Sequence, residues 1–278
     1  MLLVTGANGQ LGNELRLLLG DSAVYVDRDE LDITDEAAVR RFLDAQNFDV
    51  VINCAAYTAV DKAEDDFEAA DRVNRLGPAL LAKYGRRIIQ VSTDYVFDGT
   101  AYLPYKEEDA VNPVSVYGST KLAGEEAVLA QAETAVVIRS SWMFSSYGDN
   151  FVKTMRRLGA ESDSLGVVID QIGTPTYAAD LAAAIVAILP NIQPGMKEIY
   201  HYSNEGVASW YDFACAIMAE SGLPCMVRPL ETHEYPTKAT RPAYSVLSKA
   251  KIRRDFGLAI PHWMDGLKRC IAKLNEQA

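Results

Sequence analysis

The chain has 278 residues, 49% of them hydrophobic and 23% charged, with a formal net charge of −11 from 27 basic and 38 acidic side chains. That length suits one large or two small domains with a buried core. The acidic balance argues against a general nucleic-acid or anionic-membrane surface, since both attract basic patches. No apolar run approaches the roughly 18 residues of a spanning helix, and the opening MLLVTGANGQLG lacks the basic leader of a signal peptide. The four cysteines show no CxxC spacing, so reduced thiols in a cytoplasmic protein are expected.

Strands are expected at LLVT (2–5), AVYV (23–26), DVVINC (49–54), RIIQVS (87–92) and TAVVIRS (134–140), with helical patterns between them. Leu11, Leu15, Leu18 and Leu19 follow i, i+4, i+7, i+8 and give one apolar helix face. TDEAAVRRFLDAQ predicts a helix with Thr34 as N-cap and two acids in its first turn. Near-continuous apolar strands alternating with helices imply an α/β fold, a doubly wound parallel sheet covered on both faces.

After about residue 142 the rhythm loosens. GTPTYAADLAAAIVAILP predicts a turn and an apolar helix, EIYHYSN a strand, and SWYDFACAIMAESG a helix capped by Ser209 and stopped at Gly222. The proline-rich stretch 223–245 reads as loop-dominated. The expected organisation is a dinucleotide-binding core over 1–142, with 178–205 returning to it, and a smaller, interleaved substrate-binding lobe over 143–278.

Gly6, Gly9 and Gly12 stand directly between the first strand and the first helix. Small residues let backbone turn sharply against a pyrophosphate, and the helix start offers free N–H groups. One or two glycines are common in any strand-to-helix turn, but three at this spacing on an N-terminal strand point to a dinucleotide. The second strand ends in Asp27-Arg28. The acid suits ribose hydroxyls, hence NADH, and the arginine a 2′-phosphate, hence NADPH, so the preference stays open.

The fourth strand ends in Ser92, Thr93, Asp94 and Tyr95, on the rim where open sheets bind ligands. Two Tyr-x-x-x-Lys pairs follow. Tyr102 and Lys106 span Pro104 in a loop, whereas Tyr117 and Lys121 open a long helical pattern, where i and i+4 share a face. Only the second pair has fixed geometry. There an ammonium would lower the phenol from its usual pKa near ~10 and suit it to proton transfer. Tyr117 would protonate a carbonyl oxygen, Thr93 would orient it, and Lys121 would also reach the cofactor ribose.

The glycine loop, STDYVFDG and YGSTKLAGE together resemble the extended short-chain dehydrogenase/reductases, over residues 1 to about 275. Six further runs are similar to the dTDP-4-dehydrorhamnose reductase family: NCAAYTAVDKAE, VNRLGPALLA, RSSWMF, NFVKTM, DQIGTPTYAADLA and ATRPAYSVL. The resemblance implies a catalytic set of Thr93, Tyr117 and Lys121, with Asn74 supporting a proton relay. It implies that Gly9, Gln10 and Leu11 meet the cofactor diphosphate, Asp27, Asp32 and Ile33 the adenosine, and Ala55, Ala56 and Tyr57 the rest of the dinucleotide, beside Ser92. Thr93, Asp94, Tyr95 and Trp142 would line a sugar pocket, although from the residues alone Trp142 is equally a core aromatic. Arg241 and Lys153 are candidates for the nucleotide diphosphate.

Some relatives hold magnesium between subunits with three acids. Glu14 matches the first, but Ala179 and Lys273 stand at the other two. One carboxylate is a poor magnesium site, so neither that metal nor that dimer is expected, and the chain is read as a monomer or homodimer. The implied activity is NAD(P)H-dependent reduction of a nucleotide-linked 4-keto sugar. A dehydratase or epimerase shares the scaffold, but relatives that dehydrate carry Asp-Glu after the threonine, and here Tyr95 follows Asp94. An NADP-binding regulatory subunit is the non-enzymatic alternative.

Overall fold

The computed structural model describes residues 1–277. Strands β1 (Leu2–Thr5), β2 (Ala23–Val26), β3 (Val50–Asn53), β4 (Arg87–Thr93) and β5 (Thr134–Ser140) join a later strand in one sheet. With β6 (Ser164–Val168) outside that sheet, the later strand is β7 (Lys197–His201), and the order is β7-β5-β4-β3-β1-β2, every pair parallel. This is a Rossmann-like doubly wound sheet. Its winding reverses at β1, between β2 and β3, and such a reversal opens a ligand crevice beyond the carboxyl ends.

The period of two along each strand divides the core. Val4, Ile52, Ile89 and Val136 face one cluster, which takes in Leu11 and Leu15 of α1 (Gln10–Leu19) and a later apolar helix, Ala178–Ile188. Their neighbours Leu3, Val51, Ile88 and Ala135 face the other, with Val39 and Leu43 of α2 (Glu36–Ala45), Leu80 and Leu81 of α3 (Gly77–Tyr84) and Val128 of α4 (Val116–Gln131). The apolar face of α1 is narrower than its spacing suggests. Leu11 and Leu15 are buried, but Leu18 is 52% exposed.

A third cluster, built on Phe144, Phe213 and Trp263, holds the smaller lobe together. It packs α5 (Phe151–Glu161) and α6 (Trp210–Ser221) against the C-terminal helix α7 (Trp263–Glu276). The capping box on Ser209 and the left-handed Gly222 bound α6 as the sequence indicated.

Two local expectations need correction. Asp35, not Thr34, caps α2 by accepting from the Ala38 N–H at 3.0 Å; the Thr34 hydroxyl is turned elsewhere, donating to Asp32 and accepting from Arg72. Residues 223–245 are not all loop. Met226–Leu230 forms β8, paired in parallel with β6, despite the proline within it. A strand whose other edge is free can carry a residue without an N–H.

Candidate active site

A cleft of about 1050 Å³ runs along the carboxyl ends of the sheet, beginning at the turn between β1 and α1. Gly6 takes a left-handed φ of +65°, and a Cβ there would stand 2.6 Å from the Ala55 nitrogen. A Cβ on Gly12 would meet the Gly6 carbonyl at 2.5 Å, so this glycine serves helix–turn packing and does not itself line the cleft. Helix α1 begins without a side-chain cap and without an acid in its first turn. Its first N–H groups and its dipole therefore suit an anion. Gly6, Gly9, Gln10 and Leu11 line the cleft there.

Toward β2 the wall is Asp27, Arg28, Asp32 and Ile33. Asp27 accepts from the backbone N–H groups of Asn8 (2.9 Å) and Arg28 (2.8 Å), one to each oxygen. The Thr34 N–H and hydroxyl hold the Asp32 carboxyl below its ordinary range. Arg72, bonded to the Thr34 hydroxyl at 3.0 Å, lines the same end and was not singled out by the sequence.

Beyond β3 the wall is Cys54, Ala55, Ala56 and Tyr57. Asn74 stands behind this loop in a π-helical turn (Arg72–Leu76), a form often found at functional sites. Its side chain accepts from the Tyr57 N–H at 2.8 Å and donates to the Thr120 hydroxyl at 3.1 Å. Asn74 is thus a buried bracket between the loop and α4, outside the cleft lining.

Ser92, Thr93, Asp94 and Tyr95 leave β4 into the cleft, facing Tyr117 and Lys121 from α4. Ser115 caps α4 on the Gly118 N–H at 3.1 Å, which places Tyr117 in the first turn. A Cβ on Gly118 would stand 2.2 Å from the Tyr95 carbonyl, and the Tyr95 and Tyr117 rings meet edge to face at 5.6 Å. Burial pushes the Tyr117 phenol up to about 12, against a lowering contact from the Thr93 hydroxyl. Lys121 is 4% exposed and donates to the Val91 carbonyl at 2.7 Å. Burial pulls its ammonium down to about 8. The sequence expectation of a phenol brought below its usual value is not met, because burial outweighs what would lower it. The lysine is held to the strand, and burial dominates the phenol. A phenol near 12 is fully protonated at neutral pH, the form a proton donor needs.

Trp142, Ser140, Ser141 and Trp210 close the far end. The two tryptophans stack at 3.7 Å, so Trp142 is a wall of the cleft as well as part of the smaller lobe's core. Trp210, at the first position of α6, was missed in sequence because it reads as one more apolar helix residue. Lys153 and Arg241 are not in the lining. Lys153 is bonded to the Gly148 carbonyl (2.8 Å), and Arg241 to Asp61 (2.7 and 3.1 Å), next to lining residues Gly148 and Val60.

Five buried polar atoms of the lining have no hydrogen-bond partner: Gln10 Oε1, Tyr57 Oη, Ser92 Oγ, Asp94 Oδ2 and Ser140 Oγ. Leaving such groups unmatched costs roughly 1–3 kcal/mol each. Together with the glycine cradle they fit a long, polar ligand such as a dinucleotide with its substrate. Magnesium does not fit. Glu14 takes the Ser145 hydroxyl at 2.6 Å and the Lys273 ammonium at 3.2 Å, and among the described residues no three acidic, histidine or cysteine side chains are grouped to hold a metal.

The family model described as RmlD substrate binding domain matches residues 1–276. A dTDP-4-dehydrorhamnose reductase of Aggregatibacter actinomycetemcomitans is 44% identical, covering 96% of this chain and 97% of that protein. This chain belongs to the dTDP-4-dehydrorhamnose reductase family. Crystal structures of such reductases agree with its fold: one from Clostridium acetobutylicum has a TM-score of 0.95 at 42% identity, covering 99% of both chains. One from Bacillus anthracis, in complex with NADP, has a TM-score of 0.94 at 36% identity, covering 98% of both. The dTDP-4-dehydrorhamnose reductase fold therefore extends over the whole described chain, with no helix among the described residues long and apolar enough to cross a membrane.

Proposed function

We propose that this protein reduces the C4 keto group of dTDP-4-dehydro-6-deoxy-L-mannose to give dTDP-L-rhamnose, with NADPH as reductant. The observation that carries the reading is one cleft that joins a glycine cradle at a helix start to Thr93, Tyr117 and Lys121. NADP in the Bacillus anthracis relative supports the cofactor. So does the adenosine end, where both Asp27 oxygens are engaged by backbone while Arg28 and Arg72 line the wall.

When bound, NADPH supplies the hydride to the keto carbon. Gly6, Gly9, Gln10 and Leu11 hold its diphosphate, and the Cys54–Tyr57 loop, bracketed by Asn74, holds its middle. The Thr93 hydroxyl orients the sugar carbonyl oxygen, and Tyr117 donates its phenolic proton to that oxygen. Lys121 supplies the positive charge that stabilises the phenolate left behind. Asp94, Tyr95 and the Trp142–Trp210 wall shape the sugar site. Arg241 and Lys153, beside the lining, serve the nucleotide diphosphate.

We also propose that the dinucleotide core comprises 1–142 with 178–205, and that the remainder of 143–278 carries the sugar-nucleotide side. The four unpaired cysteines suit a reducing, cytoplasmic location. The test is loss of NADPH absorbance with dTDP-4-dehydro-6-deoxy-L-mannose and with a panel of other nucleotide-linked keto sugars. Turnover confined to another sugar overturns the substrate, and no oxidation with any of them overturns the reductase.

A further inference from the structure

The face of α4 that carries Tyr117 and Lys121 continues one turn deeper, to Glu125, since residues four apart on a helix lie one above the other. The three sit at increasing depth: Tyr117 lines the cleft, Lys121 is 4% exposed, and Glu125 is 1% exposed. Arg139 on β5 donates to the Glu125 carboxylate at 3.0, 3.1 and 2.7 Å. Arg139 is itself 2% exposed, lies 5.2 Å from the Phe97 ring, and leaves Nη1 without a partner. A buried ion pair of this kind is a weak device for stability, because an apolar pair of similar volume generally serves as well. The carboxylate therefore calls for another role, and the charged group next along its face is Lys121.

The groups that bear on Lys121 come from three elements. Val91 on β4 accepts its hydrogen bond. The Cys54 thiol, beyond β3, is pushed up to about 12 by burial and stays neutral. Glu125, on the same helix, opposes the burial that pulls the lysine down. Asp94 bears on Tyr117.

We propose that Glu125 is a positioning residue for the reduction: from one turn behind, it keeps Lys121 an ammonium, and Arg139 locks the carboxylate to that task. The proposal rests on the reductase reading for its catalytic meaning, but not for its electrostatic core.

Both parts are tested in Glu125→Gln and in the double variant Glu125→Gln with Arg139→Met. The double variant removes the ion pair as a unit and leaves no buried arginine without its carboxylate, so it is expected to fold where the single variant fails. In protein carrying ¹³Cε-lysine, the Lys121 signal, identified by its loss in Lys121→Met, is titrated by NMR. Its midpoint is expected to fall by about one pH unit in the variants, a tenfold loss of proton affinity. The alkaline limb of kcat is expected to move down by the same interval, while KM for NADPH is unchanged. A folded double variant with the wild-type Lys121 midpoint overturns the proposal, as does a shifted midpoint with an unmoved kcat profile. If the wild type oxidises no NADPH, the reductase reading fails, and the NMR midpoint still decides what Glu125 does to Lys121.

Discussion

Trp142 lies flat on Trp210, ring centroids 3.7 Å apart and planes 9° from parallel. Trp142 has a left-handed backbone, φ 45°, which in a bulky residue costs on the order of 1–3 kcal/mol. Its ring also fills the space a Cβ on Gly173 would need. The stack is what holds this strained residue as a wall of the cleft. Trp210→Ala is expected to raise KM for the nucleotide sugar about tenfold, the upper range of an aromatic pair, with KM for NADPH unmoved. Trp210→Phe should lie close to wild type. Equal sugar KM values in all three proteins would remove the pair from the sugar site.

Tyr117→Phe keeps the edge-to-face contact with Tyr95 and loses only the hydroxyl. Turnover is expected to drop by roughly 10²–10⁴, the usual worth of a positioned general acid. NADPH binding, followed by fluorescence, should survive. Wild-type turnover in this variant would assign the proton to another group.

Asp94 is 2% exposed, and burial pushes its carboxyl up to about 7. An unfolded aspartate titrates near ~3.9. Between those values the folded chain binds the extra proton. Its contribution to stability is therefore full below pH about 4 and is lost as pH rises through about 7. Asp94→Asn cannot titrate, so its Tm advantage over wild type should grow from pH about 5 to about 8. Each kcal/mol corresponds to roughly 2–4 °C in a chain of this class. A Tm difference that is flat across that range would mean Asp94 has an ordinary carboxyl.

Lys273 reaches from α7 to Glu14 on α1, clamping the C-terminal helix to the element that begins at the cleft. Lys273→Met leaves a carboxylate that is 3% exposed without its cation. The lysine itself is 26% exposed, so solvent screens part of the loss, and about 1–3 kcal/mol is expected in urea unfolding. Millimolar magnesium should restore none of it, since the Ser145 hydroxyl and one carboxylate are all that remain. Recovery on adding magnesium would show a metal site that this geometry lacks.

The sheet was legible because its strands are apolar on both faces, and each face of β1, β3, β4 and β5 found its own cluster. The glycine turn and Tyr117 with Lys121 were legible because local rules fix them: a close backbone approach in one case, a helical period in the other. Tyr102, which shares the Tyr-x-x-x-Lys spacing, is 87% exposed in a loop, as Pro104 implied. What escaped was set by distant partners. The Lys121 hydrogen bond to Val91, the Trp210 stack and the Arg72 contact with Thr34 each join segments with no shared local pattern. The Thr34 cap was misplaced for the same reason in miniature, because Asp32 and Asp35 outcompeted it.

A Cβ on Gly118 would touch the Tyr95 carbonyl at 2.2 Å, and one on Gly124 the Asn74 carbonyl at 2.0 Å. Helix α4 thus rests on its neighbours backbone to backbone at two points along its length, with no side chain between to yield. It is the fixed jaw of a vice. Any yielding of the cleft then falls to the opposite jaw, Ser145 to Asp149, which follows the short strand Met143–Phe144 and whose hydrogen bonds run through side chains. In hydrogen exchange, amides 119–125 should outlast amides 145–149 by orders of magnitude, and equal protection of the two segments would mean that both jaws are fixed.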